Sequence, residues 1–189
     1  LQDVPYAGLR ADLTRETFVA LTSSCHDRNG AVAAALCSAA FAREGLQAEA
    51  QDALERGQAF LCRLVGALEK CQPTSELAVA LGRVSGPTAG ERAIAEAEDL
   101  ARLATETEKY TEIAKAKLRS SVLVASCQAG CSDDFVQQRL SSLISYLDRI
   151  TPAAKRAFPV ATVIAALGRA KQYNHARRVY NYGLSVAGQ

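Results

Sequence analysis

Residues 160–188 read VATVIAALGRAKQYNHARRVYNYGLSVAG. Val160, Val163, Ile164 and Leu167 recur at i, i+3, i+4 and i+7, which places them on one face of an α-helix. After a turn carrying Tyr173 and Asn174, a second stripe follows: Ala176, Val179, Tyr180, Leu184 and Ala187. A two-helix hairpin of this size cannot bury both stripes by itself, so the pattern calls for a neighbouring hairpin to stack against.

The segments upstream repeat the theme. Thr151-Pro152 offers an N-cap followed by proline at the first helical position, where the missing N–H costs nothing. Ser132-Asp133 caps a stripe of Val136, Leu140, Leu143, Ile144 and Leu147, and Asp133-Asp134 reads as capping and not as a metal pair. Ile113, Leu118, Val122 and Ala125 give another stripe. Thr88 and Glu91 have capping-box spacing ahead of Ile94, Ala97, Leu100, Ala101 and Ala104. Pro73-Thr74-Ser75 is expected to start the helix of Leu77, Ala80, Leu81 and Val84, which Gly86-Pro87 ends. From Leu46 to Cys71 one stripe could be continuous, with Gly57 either breaking or weakening it. Phe18, Leu21, Thr22 and Cys25 make a stripe expected to stop at Asn29-Gly30. Val32, Ala35, Leu36 and Ala39 make the next, closed by Gly45.

No segment alternates with period two. The expectation is an all-α chain of eight or nine helices, organised as an α-solenoid of about four stacked hairpins. Residues 1–12, with Pro5 and Gly8, are expected to be an extended lead-in, and residues 13–189 a single helical-repeat domain. A length of 189 residues suits one domain, and 49% hydrophobic with 22% charged residues is the composition of a soluble globular protein. No apolar run approaches the length of a membrane span. The chain starts at Leu1 and contains no methionine, which fits an imported mature chain or a trimmed one.

The six cysteines, at 25, 37, 62, 71, 127 and 131, are expected to be free and buried, packing as small hydrophobes in a long alanine- and leucine-rich chain. Cys127 and Cys131 have three residues between them instead of two, and His26 and His175 stand alone. Only a coincidence of folding would bring Cys25-His26 to that pair as a four-ligand set. Residues 82–90, GRVSGPTAG, lack the lysine and the strand context of a phosphate-binding loop. No catalytic residue, cofactor or metal is expected, and an enzyme is the least favoured class.

Charge is unevenly spread. From Arg149 to Gln189 there are seven Lys or Arg and no Asp or Glu, so +7 here and −5 elsewhere make up the net +2. The candidate partner-binding edge is Arg169, Lys171, Arg177 and Arg178, with Lys155 and Arg156. Interleaved Tyr173, Tyr180 and Tyr182 would suit RNA, since phosphates attract cations and bases stack on rings. Docking onto an acidic protein patch, plain solvation, or charge complementarity between repeats would use the same cations. Because Tyr180 falls on the stripe assigned to the core, one stacking platform is lost and docking is preferred.

The run from Ile164 to Ala170, through Tyr173-Asn174-His175-Ala176 to Val179-Tyr180, resembles a pentatricopeptide repeat. Phe18 to Gly45 and Val122 to Ser142 are weaker matches. The resemblance implies stacked hairpins. Long arrays of this family read single-stranded organellar RNA, one base per repeat. Short degenerate ones serve as assembly subunits, as does the pentatricopeptide-like subunit on the catalytic head of the euglenozoan mitochondrial ATP synthase. The implied role is a non-catalytic accessory subunit on the matrix side of mitochondria, docked on protein subunits of a large assembly, the ATP synthase head first. A small organellar RNA-binding protein or an accessory mitochondrial ribosomal protein is the alternative.

Overall fold

A computed structural model describes residues 4–24, 27–107 and 111–187. Cys25 and His26 lie outside them, so the four-ligand coincidence that would need this pair falls outside the description. The described residues form nine α-helices and no strand: α1 Val4–Ser24, α2 Asp27–Arg43, α3 Gln47–Leu61, α4 Ala67–Ser85, α5 Pro87–Thr107, α6 Glu112–Gln128, α7 Asp133–Asp148, α8 Ala157–Arg169 and α9 Tyr173–Ala187. A single 3-10 turn, Ala153–Arg156, leads into α8.

Four tight turns join consecutive helices into antiparallel pairs: α2 with α3, α4 with α5, α6 with α7, and α8 with α9. Each turn contains a residue with positive φ, at Gly45, Gly86, Gly130 and Lys171, so successive turns are 41, 44 and 41 residues apart. Three share one hydrogen-bond pattern. Leu46 N–H donates to the Phe41 carbonyl (2.9 Å), Cys131 N–H to Ser126 (3.3 Å) and Gln172 N–H to Leu167 (2.8 Å). This is the Schellman closure, in which the residue after a left-handed one reaches back to satisfy an orphan helix-end carbonyl.

The even-numbered helices pack in series, α2 on α4, α4 on α6 and α6 on α8, and form one layer. Their hairpin partners α3, α5, α7 and α9 lie on the other side, and α1 packs on α2 at the start. Alanine and glycine set the spacing: Ala31, Ala34, Ala35, Ala78, Ala80, Ala97, Ala101 and Ala104 are all buried. At the crossing of α4 and α5, a Cβ on Gly82 would sit 2.2 Å from the Ala129 carbonyl oxygen, and one on Gly90 would sit 3.0 Å from the Gly82 Cα. Only hydrogen fits there, and that lets α4, α5 and the end of α6 meet. The GRVSGPTAG segment is therefore a helix junction. Toward the C-terminus the core enlarges to Leu123, Leu140, Leu147, Val163, Leu167 and Val179.

Polar locks tie the layers together. Ser38 Oγ donates to the Ala50 carbonyl (2.7 Å) inside the first hairpin. Glu91 of α5 accepts from both the backbone N–H (3.0 Å) and Oγ (2.8 Å) of Ser132, the N-cap of α7. Arg139 Nε lies 3.0 Å from Glu98 across α5 and α7, with its guanidinium 3.7 Å over the Phe135 ring.

Several expectations are corrected. The extended lead-in is helical from Val4 onward. Asn29-Gly30, read as a stop, lies in the first turn of α2, and the hairpin partner of α2 is α3 and not the helix before it. Gly57 does not break α3, which runs through it. It is buried, and a Cβ there would meet Leu77 Cδ2 at 2.7 Å, so the glycine makes room for the side chain from α4. The break falls at residues 62–66 instead, and Pro73 sits inside α4. Thr88 and Glu91 form no capping box, since Glu91 is used by Ser132. Pro152 precedes a 3-10 turn and not an α-helix.

Candidate functional site

Among the described side chains of α9 the buried ones are Ala176 and Val179, and a Cβ on Gly183 would lie 2.9 Å from Val160 of α8. Tyr182 turns toward the protein. Its hydroxyl donates to Asp148 Oδ1 at 2.8 Å, and burial together with that carboxylate pushes the phenol up to about 12. Asp148 also lies 3.5 Å from Arg156 Nη1, so the end of α7 anchors both α9 and the 3-10 turn.

The opposite face of α9 meets solvent. Tyr173, Tyr180 and Leu184 are 67%, 52% and 55% exposed, and Arg177 is exposed between them. At positions i, i+4, i+7 and i+11 these four make a continuous stripe along one side of the helix. The assignment of Tyr180 and Leu184 to the core is thus overturned. The inward face follows 176 and 179, with Gly183 half-buried, and is rotated from the one the apolar pattern suggested; the burial of Ala187 lies outside the described residues.

The six expected cations divide into two groups. Arg169 and Lys171 flank the α8–α9 turn, with Arg177 and Arg178 one turn into α9. Among the described residues Arg169, Lys171 and Arg177 have no acidic partner, and Arg178 donates to the Gln137 side chain of α7. Lys155 and Arg156 lie beyond the far end of α8, whose 13 residues separate the groups by about 20 Å. Arg156 is committed to the fold, donating from Nε to the Ile150 carbonyl at 2.8 Å. Lys155 is exposed and belongs to a different depression.

Lys171 occupies its turn with φ +59, a left-handed conformation that disfavours any residue with a Cβ. Gly45 and Gly130 take the same place in the equivalent turns. A lysine is held where glycine would be more stable, and its side chain is presented at the apex of the last hairpin.

Arg169 also borders a groove of about 330 Å³ along the even-numbered layer, with Lys117, Gln128 and Glu76 on its walls. Burial raises the pKa of the Glu76 carboxyl, which has no hydrogen-bond or ion-pair partner among the described residues. Neither Lys117 nor Glu76 stood out in the sequence, because nothing in their local spacing marks them. His175 is half-buried, with Nδ1 lacking a partner.

The cysteines are less uniform than expected. Cys37 and Cys71 are buried, Cys127 and Cys131 half-buried and Cys62 exposed. Burial raises the thiols of Cys71 and Cys131 to about 11, which leaves them poor nucleophiles at neutral pH. Among the described residues no group of His, Cys, Asp and Glu is placed to hold a metal ion, and no helix is long and apolar enough to cross a membrane. Compared with known proteins, the chain matches no family model, no curated protein and no solved structure.

Proposed function

We propose that this chain is a non-catalytic docking subunit, a short α-solenoid whose last hairpin binds an acidic-rimmed apolar surface on another protein. The observation that carries the proposal is Lys171 in a glycine-favouring conformation at the apex of that hairpin, beside the exposed Tyr173–Arg177–Tyr180–Leu184 stripe. Backbone strain held in place by its surroundings motivates a functional role for the residue that bears it. Exposed rings and an aliphatic side chain, rimmed by cations without acidic partners, have the composition of an interface core and its rim.

The host we favour is a mitochondrial assembly on the matrix side, with the catalytic head of the ATP synthase first and the mitochondrial ribosome next. The pentatricopeptide-like run from Ile164 to Tyr180 supports that choice. The turn spacing of 41 to 44 residues exceeds the roughly 34 of tetratricopeptide units, which counts against a regular array reading RNA base by base.

The test is co-purification from mitochondria. A fixed stoichiometry with ATP synthase head subunits is expected, weakened by Arg177→Glu with Arg178→Glu and by Tyr180→Ala. Steering charges set association rate, and a buried aromatic anchor is worth about 1 kcal/mol or more. A complex unchanged by all three substitutions places the interface elsewhere.

A second reading is favoured by one observation: Tyr180 and Tyr173 are both exposed beside Arg177, which gives an RNA two stacking platforms. Binding of single-stranded RNA that falls steeply with salt, with no protein complex recovered, selects this reading over docking.

A further inference from the structure

We propose that the depression where α5, α6 and α7 meet the 3-10 turn binds the phosphate of a small phosphomonoester. It lies at the far end of α8 from the docking stripe and does not depend on that function. Its volume is about 420 Å³, in the range of small-ligand pockets. Four cations converge on it from three segments of the chain: Lys115 and Arg119 of α6, Arg149 after α7, and Lys155 of the 3-10 turn.

The acids nearby offset them only in part. Glu112 accepts a 2.5 Å hydrogen bond from the Tyr146 hydroxyl and lies 3.4 Å from Lys115 Nζ, and Glu106 pairs with Arg102 at 3.8 Å. Among the described residues neither the Arg149 nor the Lys155 side chain has a hydrogen-bond or ion-pair partner. Arg119 is the built element. Its guanidinium sits 4.6 Å over the Tyr146 ring and donates from Nη2 to Thr105 at 3.1 Å, while its buried Nε has no acceptor. Among the described residues that line it, four cations against two acids leave +2 around one concavity. Like charges gathered there repel unless an anion joins them, and a phosphate dianion matches both the charge and the donors. The depression is half open, and its volume of about 420 Å³ leaves room for a small body attached to the phosphate, which favours an ester over the free ion.

The experiment is calorimetric titration of the full chain with glycerol 3-phosphate and, separately, with inorganic phosphate, at matched ionic strength. Saturable one-to-one binding of the ester is expected. Arg149→Ser with Lys155→Ser should weaken it about tenfold or more, while Arg177→Ser leaves it unchanged. Both altered side chains are exposed, so the fold tolerates their loss, and a melting curve checks this. Absence of saturable binding below about 10 mM overturns the proposal, as does equal binding by the double variant. Binding of inorganic phosphate without the ester overturns the assignment to an ester.

Discussion

The three Schellman turns provide an internal experiment on backbone strain. Gly45 and Gly130 have φ of +76 and +72, and a Cβ added to either would meet nothing within 4 Å. Lys171 has φ +59 at the same place in the last turn. Alanine at 45 or 130 therefore introduces conformational strain and no clash. Left-handed backbone costs an L-residue roughly 1–2 kcal/mol, offset by about 0.4–1 kcal/mol because alanine restricts the unfolded chain. The net loss is about 1 kcal/mol per turn, or roughly 2–4 °C in Tm for a chain of this size. Lys171→Gly runs the same arithmetic backwards and should raise Tm by a similar amount. Lys171→Ala keeps the Cβ and removes only the charge, so its Tm should stay within about 1 °C of the parent. Thermal denaturation followed by circular dichroism reads all four variants. If Lys171→Gly melts at or below the parent temperature, while Gly45→Ala and Gly130→Ala lose stability, the lysine is not strained and the proposal for it fails. A stabilised Lys171→Gly that binds its partner more weakly is the signature of stability given up for a contact.

Two further predictions concern packing and pH. Gly82→Ala forces a methyl against the Ala129 carbonyl. Overpacking of about 1–3 kcal/mol should outweigh the roughly 1 kcal/mol gained in helix propensity, whereas Gly168→Ala, with open space around it, should gain up to that amount. Melting curves with the two shifts in the same direction would contradict the close approach of α4, α5 and α6. For pH, Glu76 and Glu91 act with opposite sign. The hydrogen bonds from Ser132 lower the Glu91 pKa, so its stabilisation is present above the ordinary carboxylate value and lost as pH falls through the depressed one. Burial raises Glu76, so its charge opposes folding above its raised value. Glu76→Gln should increase Tm at pH 7, and that gain should vanish as pH drops below about 4.3. A Glu76→Gln gain that is constant with pH would show that titration is not its cause.

Helix periodicity carried the all-α class and most of the helices, because apolar spacing and glycine punctuation are local signals. Gly45 and Gly86-Pro87 mark their turns openly. The break after α3 was hidden, since Pro73 looked like a start and the extended N-cap Gly66 did not. A proline within a helix is tolerated when packing offsets its lost hydrogen bond, and Pro73 is fully buried. The choice between Tyr180 and Tyr182 could not be made locally. Position 180 follows 176 by one turn as well as 183 follows 179, and Tyr182 is drawn inward by Asp148, far back in α7, and by packing on the core. The cluster of Lys115, Arg119, Arg149 and Lys155 is likewise a product of the stack, assembled from segments whose sequences say nothing of each other.

The order of contacts along the chain bears on how the molecule opens. α4 packs against α2, α3, α5 and α6, whereas α8 and α9 lean chiefly on α6 and on one another, with little from α7. Detaching the last hairpin breaks one interface where detaching a middle hairpin breaks two. Its amides should therefore exchange with solvent earliest among the hairpins, and a protease should nick it first. A partner seated on α9 would supply the neighbour this hairpin lacks. Binding would then slow exchange along all of α8 and α9, well beyond the side chains it touches, and the segment that is easiest to loosen would become the one most responsive to occupancy.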